Sequence, residues 1–381
     1  MRRRHAFGAS LLSVLLASCL QARMVVYNYP DLTAPTYFAS REITPSPHPV
    51  PFREEHPRAH FRTSKTTGEG FASFDEFLLL KQTRAFVVLH EDSVVYERYF
   101  EGVSRTTLFP SFSIAKAFAG LTVGAAIEDG ILHSVDDPIT RYVPELRQKP
   151  GYKDVTLDHL LRMVSGIDFE EESTAGATFY YSHELRRRLY AYDVKWKPGT
   201  HFLYGGLNIE LVWDALQHAL GNVAFSTYFQ HRIWDRLGAE HAASWSLDSE
   251  ASGIEKFWAG LNATARDFAR LGLVYLNQGK LHEHALVSPA WVARSIEVDP
   301  VVGPADSTDG LVYRSKYQWL LTTDGRGYFA KGYQGQYVFV VPSRRMVFVR
   351  FGEGYAGIDW PKLFVELADS YAKDHAPTKT P

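Results

Sequence analysis

Strand-like apolar runs mark both ends of the body of this chain, whereas helical periods dominate its middle. Near the beginning, Ala85–Leu89 and Val94–Phe100 are rich in β-branched and aromatic residues and flank the polar segment His90–Ser93. This pattern predicts a β-hairpin. A short helix is predicted just before it, over Phe74–Leu80.

The C-terminal part carries four more strand-like runs and a final helix. The runs predict an antiparallel meander over Tyr317–Thr322, Gly327–Ala330, Tyr337–Val341 and Met346–Phe351. Pro342-Ser343-Arg344 is expected to form a turn within it. A closing helix is predicted over Trp360–Ala372, followed by a polar tail at residues 373–381.

Between these ends the spacing of apolar residues is helical. An almost uncharged segment runs from Ser113 to Ile127, and Gly130 follows at the position expected just after a helix. Further helical patterns cover most of residues 157–220, Phe225–Leu237 and Thr264–Asn277.

The order of these elements predicts the fold class. A hairpin, a helical middle, a meander and a closing helix indicate an α/β fold with one antiparallel sheet, built from both chain ends and flanked by helices. A mainly helical domain is expected as an insertion at about residues 113–225, within a body that spans residues 71–372.

The N-terminal residues have the architecture of an export signal. Arg2-Arg3-Arg4 precedes a short apolar stretch, and Leu16-Ala17-Ser18-Cys19 looks like the lipobox of a bacterial lipoprotein precursor. We therefore expect residues 1–18 to be removed and Cys19 to be lipidated. The protein would then face the periplasm from the cell envelope, held to the membrane by its lipid. Residues 19–70 are rich in proline without a sustained period, and they are expected to form an irregular arm. Part of this arm is expected to pack, because it carries Tyr27, Tyr29, Tyr37 and Phe38.

Composition narrows the possible functions. The 381 residues are 45% hydrophobic and carry a formal net charge of −2, which suits a globular protein and provides no basic excess for nucleic acid. The lipase-type Gly-x-Ser-x-Gly and the zinc-protease His-Glu-x-x-His motifs do not occur. Gly352–Gly357 spells a dinucleotide-binding fingerprint, but the parallel strand that such a site requires does not follow it. No metal or organic cofactor is implied.

Candidate chemistry lies at the start of the uncharged helix, in Ser113-Ile114-Ala115-Lys116. Residues three positions apart share a helix face, so the Lys116 amine is expected beside the Ser113 hydroxyl. Burial would lower the pKa of the amine and let it accept the proton of a nucleophilic serine near neutral pH. Because Ser-x-x-Lys also occurs by chance on ordinary helix surfaces, this hypothesis depends on the rest of the chain.

Two later segments are candidates to complete such a site. Trp196–Gly206 contains Tyr204, which is either a core aromatic residue or a partner in general-base work. Lys331–Gln336 lies between two predicted strands and contains Gly332 and Gly335. Such a backbone either forms an ordinary bulge or approaches a substrate and points an N–H group at an oxyanion.

Taken in order, these segments resemble the serine β-lactamase-related family, which contains class C β-lactamases, DD-peptidases and carboxylesterases. The similarity is greatest to the branch of 6-aminohexanoate-dimer hydrolases, and it covers about residues 71–372. The segments that carry it are Ser113–Lys116, Leu160–Ile167, Trp196–Tyr204, Ile233–Gly238, Ala259–Asp267 and Gly332–Gln336.

The resemblance implies a role for each matching residue. Ser113 would be the acylated nucleophile, and Lys116 and Tyr204 would handle its proton. The backbone N–H groups of Ser113 and Gln336 would form the oxyanion hole. Contacts with the substrate would come from Tyr333, Gln334, Gly335, Gly206 and Asn208.

Two positions depart from the family pattern. Gly206 stands where an Asn or Ser is usual after the tyrosine, with Asn208 as a shifted candidate. Tyr333 stands where a Lys or His would bind the carboxylate of a β-lactam. Both departures favour a hydrolase of carboxylic esters or small amides without an essential carboxylate over a true β-lactamase. The first leaves open an alternative: a penicillin-recognising envelope lipoprotein, acting as a sensor or D-Ala peptidase, with little turnover.

Overall fold

The computed structural model describes residues 20–27, 29–55, 61, 71–302, 304–307 and 310–375. The predicted signal peptide and Cys19 lie outside these ranges, so the lipid anchor stays a prediction. Among the described helices, none is long and apolar enough to cross a membrane.

Two main sheets organise the described residues. The strands in chain order are β1 Ser40–Ile43, β2 Arg53–Glu54, β3 Thr83–His90, β4 Ser93–Tyr99, β5 Phe109–Pro110, β6 Ala243–Ser246, β7 Leu261–Ala263, β8 Lys280–Leu281, β9 His284–Ala285, β10 Pro304–Ser307, β11 Gly310–Arg314, β12 Leu320–Thr322, β13 Tyr328–Gly332, β14 Gln336–Val341 and β15 Met346–Gly352. The large sheet has the order β10-β11-β12-β13-β14-β15-β3-β4-β2, and a smaller one has the order β1-β6-β7-β5.

The large sheet joins the two ends of the body. The last strand, β15, pairs antiparallel with β3 from Met346 opposite His90 to Gly352 opposite Thr83. Every other pair in this sheet is antiparallel except β2 with β4. The predicted fold class, one antiparallel-rich sheet built from both chain ends with helices around it, is confirmed.

The helices fill the middle of the chain and cover the sheet. They are α1 Leu20–Tyr27, α2 Phe74–Leu80, α3 Ala115–Glu128, α4 Leu157–Leu161, α5 Thr174–Tyr181, α6 Leu185–Leu189, α7 Gly206–Leu220, α8 Phe225–Phe229, α9 Ala265–Leu276, α10 Pro289–Ile296 and α11 Trp360–Asp374. On one side of the sheet, α9 packs closely, because Gly272 leaves room for Val347. On the other side, Trp360 and Phe364 of α11 lie in the aromatic cluster around Phe86.

Three elements differ from the sequence predictions. The helix expected over Phe225–Leu237 is divided into α8 and one turn of π-helix at Gln230–Trp234. The meander is longer than predicted, because β10 and β11 precede it. It also regains strand geometry only at Leu320, since Gln318 has a left-handed backbone (φ 72°). The closing helix extends two residues beyond Ala372 to Asp374.

The arm predicted as irregular is partly ordered against the body. Its β1 pairs with β6 from Ser40 opposite Ser246 to Ile43 opposite Ala243. The Tyr27 and Tyr37 rings stack with centres 4.3 Å apart. These elements are short and their partners lie far along the chain, so a local period does not reveal them.

Helix α3 runs through the middle of the core. Its residues are buried from Ala115 to Ala126, which explains the absence of charge after Lys116. Gly124 meets the indole of Trp291, whose Nε1 donates to the carbonyl of Gly120 at 3.2 Å. This packing fixes the start of α3 beside the large sheet.

Candidate active site

Ser113 lies where a short strand turns into the buried helix α3. The strand β5 pairs with β7, and the Ser111 amide donates to the Leu261 carbonyl at 2.8 Å. Phe112 then has a left-handed backbone (φ 44°), a conformation that costs a non-glycine residue about 1–3 kcal/mol and concentrates at functional turns. One turn of 3₁₀-helix, Phe112–Ile114, leads into α3. This turn places Ser113 at the helix start with its side chain partly exposed.

Lys116 and Tyr204 both reach the Ser113 hydroxyl. Lys116 Nζ donates to Ser113 Oγ at 2.8 Å, and the Tyr204 hydroxyl donates to the same oxygen at 2.9 Å. Lys116 Nζ also lies 5.0 Å from the centre of the Tyr204 ring. The structure therefore brings together the three residues that the sequence singled out, although Tyr204 is 91 positions from Ser113.

Glu171, which the sequence did not single out, joins this group. Its Oε1 is 3.6 Å from Lys116 Nζ, and its Oε2 accepts a hydrogen bond from the Gly206 amide. Burial lowers the pKa of Lys116, but the attraction of Glu171 and Tyr204 outweighs burial and raises this pKa above its ordinary value. The predicted lowering of the Lys116 pKa is therefore wrong, because the prediction rested on burial and did not include Glu171.

The glycine-containing segment forms the turn between β13 and β14, directly beside Ser113. A Cβ on Gly332 would overlap the carbonyl oxygen of Ser111, so only glycine allows β13 to come this close. Gln334 and Gly335 both have left-handed backbones, with φ of 60° and 77°. The turn thus delivers Gln336, the first residue of β14, next to the Ser113 turn.

Two buried side chains hold this turn in shape. Gln336 Nε2 donates to the carbonyls of Gly352 (2.7 Å) and Tyr333 (3.0 Å), while its Oε1 accepts from the Gly352 amide at 2.9 Å. Arg350 donates to the Gly335 carbonyl at 2.6 Å and packs on the Trp360 ring, 3.9 Å from its centre. The Gly352–Gly357 segment, which spells a nucleotide fingerprint, therefore supports the turn beside Ser113.

The other predicted substrate contacts separate into two groups. Tyr333 is 43% exposed and lies edge-on to the Phe112 ring, and Gln334 Nε2 donates to the Pro30 carbonyl of the N-terminal arm at 3.2 Å. Asn208 and Gly206 are instead buried.

Asn208 and Gly206 already have partners within the protein. Asn208 Oδ1 accepts from Ser165 Oγ at 2.6 Å, and its Nδ2 donates to the Gly205 carbonyl at 3.2 Å. The amide of Gly206 is bound to Glu171, and a Cβ on Gly206 would overlap the Trp258 ring. Because α7 starts at Gly206, Asn208 is turned into the protein, and the structure gives its predicted substrate contact no support.

A cavity of about 40 Å³ opens beside Ser113. Its lining combines the reactive group with apolar and cationic side chains: Ser113, Lys116, Arg162, Met163, Phe202, Tyr204, Arg314, Ser315, Gln318, Trp319, Leu320 and Lys331. Arg314 was not predicted as a site residue. Its segment was not predicted as a strand, and β11 reaches the cavity only through the folded sheet.

The geometry agrees with what is found by comparison with known proteins. The Beta-lactamase family model matches residues 81–354, which include Ser113, Lys116, Glu171, Tyr204 and Gln336. The chain belongs to the beta-lactamase family. The family predicted from the ordered segments is thereby confirmed.

Individual relatives of this family member include hydrolases. The 6-aminohexanoate-dimer hydrolase of Paenarthrobacter ureafaciens is 26% identical over 304 residues, which is 73% of each chain. Among solved structures, a Bacillus anthracis protein provisionally described as a 6-aminohexanoate-dimer hydrolase has a TM-score of 0.75 and 21% identity, and covers 90% of this chain and 94% of its own. A family VIII carboxylesterase has a TM-score of 0.56 and 16% identity, and covers 71% and 86%. These two structures show the shared fold.

Proposed function

We propose that the protein is a serine hydrolase that cleaves carboxylic esters or small amides through an acyl-enzyme on Ser113. The observation that carries the proposal is the convergence of Lys116 Nζ and the Tyr204 hydroxyl on Ser113 Oγ, at 2.8 and 2.9 Å. A serine hydroxyl is a weak nucleophile until a neighbouring group takes its proton. The family and the names of its relatives, a 6-aminohexanoate-dimer hydrolase and a family VIII carboxylesterase, support this class of substrate.

Glu171 decides how the proton handling is divided. Because Glu171 keeps Lys116 charged, Lys116 acts through its positive charge and Tyr204 accepts the proton. The Lys116 ammonium lies 5.0 Å from the centre of the Tyr204 ring, where it stabilises negative charge that develops on the phenol oxygen during the reaction. As Ser113 Oγ attacks the carbonyl carbon, its proton passes to Tyr204, which then donates it to the leaving group. Water attacks the acyl-enzyme by the same route in reverse and releases the acid.

The turn beside Ser113 supplies the proposed oxyanion hole. The donors are the backbone N–H groups of Ser113, at the start of α3, and of Gln336, at the start of β14. Gly332 keeps the two segments together, and Arg350 holds the Gly335 carbonyl in place. Removing one such donor raises the activation free energy of acyl transfer by about 3–4 kcal/mol.

The test is turnover of a p-nitrophenyl short-chain ester, with covalent labelling by a neutral fluorophosphonate. Ser113→Ala should abolish both signals while its circular dichroism stays that of the wild type. Ser343→Ala, in an exposed turn, is the matched control and should retain both. Turnover by a folded Ser113→Ala protein would reject the proposal.

A second candidate is a penicillin-recognising envelope protein with little turnover. It is favoured by one observation. Gly206 and Asn208 follow Tyr204 but are bound to groups within the protein, so neither of them lines the cavity beside Ser113. Labelling of Ser113 by a penicillin or fluorophosphonate probe, without steady hydrolysis of esters, linear amides or D-Ala peptides, would select this candidate.

A further inference from the structure

Arg314 presents a guanidinium between two rings of the cavity. It is the last residue of β11, opposite Leu320 of β12, and its carbonyl accepts the Asp299 amide at 2.9 Å. The Arg314 Cζ atom lies 5.0 Å from the centre of the Phe202 ring and 5.2 Å from that of Tyr204. The side chain is half-buried and lines the same cavity as Ser113. The backbone and both rings fix its position beside the reactive group.

The carboxylates of Asp158, Asp299 and Glu171, which lie near this cavity, form ion pairs with cations other than Arg314. Arg162 forms two hydrogen bonds to Asp299, at 2.6 and 2.9 Å, and a third to Asp158 at 3.0 Å. Lys116 is paired with Glu171. The pairing of these acids leaves none of them for Arg314.

Arg314 itself has no such partner among the described residues. Its guanidinium makes no hydrogen bond or ion pair there, and its Nε is buried without an acceptor. Consistent with this, burial lowers the pKa of Arg314, and only Tyr204 opposes the effect. An arginine removed from water without a counter-charge costs free energy, and a planar anion would recover it through two parallel charge-assisted hydrogen bonds.

We infer that Arg314 binds a carboxylate of the substrate, so that the preferred substrates are esters or amides bearing a carboxylate a short chain away from the scissile carbonyl. The inference rests on the proposed function of Ser113. The cation that binds the carboxylate would then be Arg314 at the end of β11, and not a residue at the position of Tyr333, which carries no charge. The inference also replaces the expectation that a substrate carboxylate is unimportant.

The experiment compares two substrates that differ in one charge: mono-p-nitrophenyl glutarate and its methyl ester. Wild type should hydrolyse the acid with a kcat/KM at least about tenfold above that of the methyl ester, the size expected for a charge-assisted hydrogen bond. Arg314→Met should lose this preference through a higher KM for the acid, so that its kcat/KM for the acid falls at least about tenfold more than its kcat/KM for the methyl ester. Arg314→Lys should restore part of the preference. The control Arg236→Met, near Tyr228 in the helical region, should behave as wild type.

The outcomes separate this inference from the proposed function. Equal kcat/KM for the two esters in wild type, or equal losses for both in Arg314→Met, would overturn the role of Arg314 and leave Ser113 as the nucleophile. If wild type hydrolyses neither ester, the proposed function fails instead. Titration calorimetry on Ser113→Ala then still measures binding to the cavity. Monomethyl glutarate should bind and dimethyl glutarate should not. Equal binding of the two would overturn the inference without the use of an Arg314 variant.

Discussion

Replacing Glu171 with Gln tests what keeps the charge on Lys116. Glu171→Gln preserves the shape of the side chain and an oxygen for the Gly206 amide, and it removes a negative charge 3.6 Å from Lys116 Nζ. Two unit charges at about 4 Å attract by about 4 kcal/mol at an effective dielectric constant of about 20. Because the Glu171 side chain is 27% exposed, solvent screens part of this. We therefore expect the free energy of unfolding at neutral pH to fall by about 1–3 kcal/mol.

The pH dependence of turnover reveals which form of Lys116 works. The pKa of Lys116 is raised above 10.5 in the folded protein. The attraction between Lys116 and Glu171 therefore stabilises the fold fully below pH 10.5, and this stabilisation is lost as the pH rises through the folded-state pKa. In Glu171→Gln the strongest attraction that opposes burial is gone, and the pKa falls. If turnover needs the ammonium, the alkaline decline of kcat/KM moves to lower pH.

The assay is kcat/KM for a p-nitrophenyl ester from acidic to mildly alkaline pH, together with urea unfolding at neutral pH. The matched control is Glu172→Gln, since the exposed Glu172 forms no ion pair within the described structure and should leave both measurements unchanged. Higher activity of Glu171→Gln at neutral pH, with the acidic limb moved to lower pH, would show that neutral Lys116 is the base. That result would refute the assignment of the proton to Tyr204.

Two further substitutions test the neighbouring parts of the site. Tyr204→Phe removes only the hydroxyl that lies 2.9 Å from Ser113 Oγ. The kcat should fall by about 10²–10⁴-fold, as expected for the loss of a general base. A loss smaller than about fivefold would show that another group accepts the proton. Gly332→Ala places a methyl group against the Ser111 carbonyl; we expect about 1–3 kcal/mol of destabilisation and a fall in kcat, whereas unchanged kcat in a folded variant would remove this strand from the oxyanion hole.

The parts of the fold that the sequence predicts are those with long, regular patterns. Thr83–His90, Ser93–Tyr99 and Met346–Gly352 are rich in buried β-branched and aromatic residues, so their strands and their joint sheet could be expected. By contrast, β1 is four residues long and its partner lies about two hundred positions later. Its order depends on tertiary pairing, which a local pattern does not contain.

The same distinction applies to the site. Ser113 and Lys116 are linked by helical spacing, so their contact is a local property of the chain. Glu171 lies within the acidic run Glu170–Glu172, which resembles a solvated loop, and only the folded position of that loop brings one carboxylate to Lys116. The sign of the Lys116 pKa shift was therefore beyond the sequence, because it depends on the balance between burial and the attraction of both Glu171 and Tyr204.

The role of Ser113 as the nucleophile is tested most directly by trapping the acyl-enzyme and identifying the residue that carries the acyl group. Wild-type protein mixed with a p-nitrophenyl ester and quenched in acid during turnover should carry the acyl group of that ester. Peptide mass spectrometry should then place the acyl group on Ser113. Acylation of another residue, or turnover without any acylated peptide, would contradict the account.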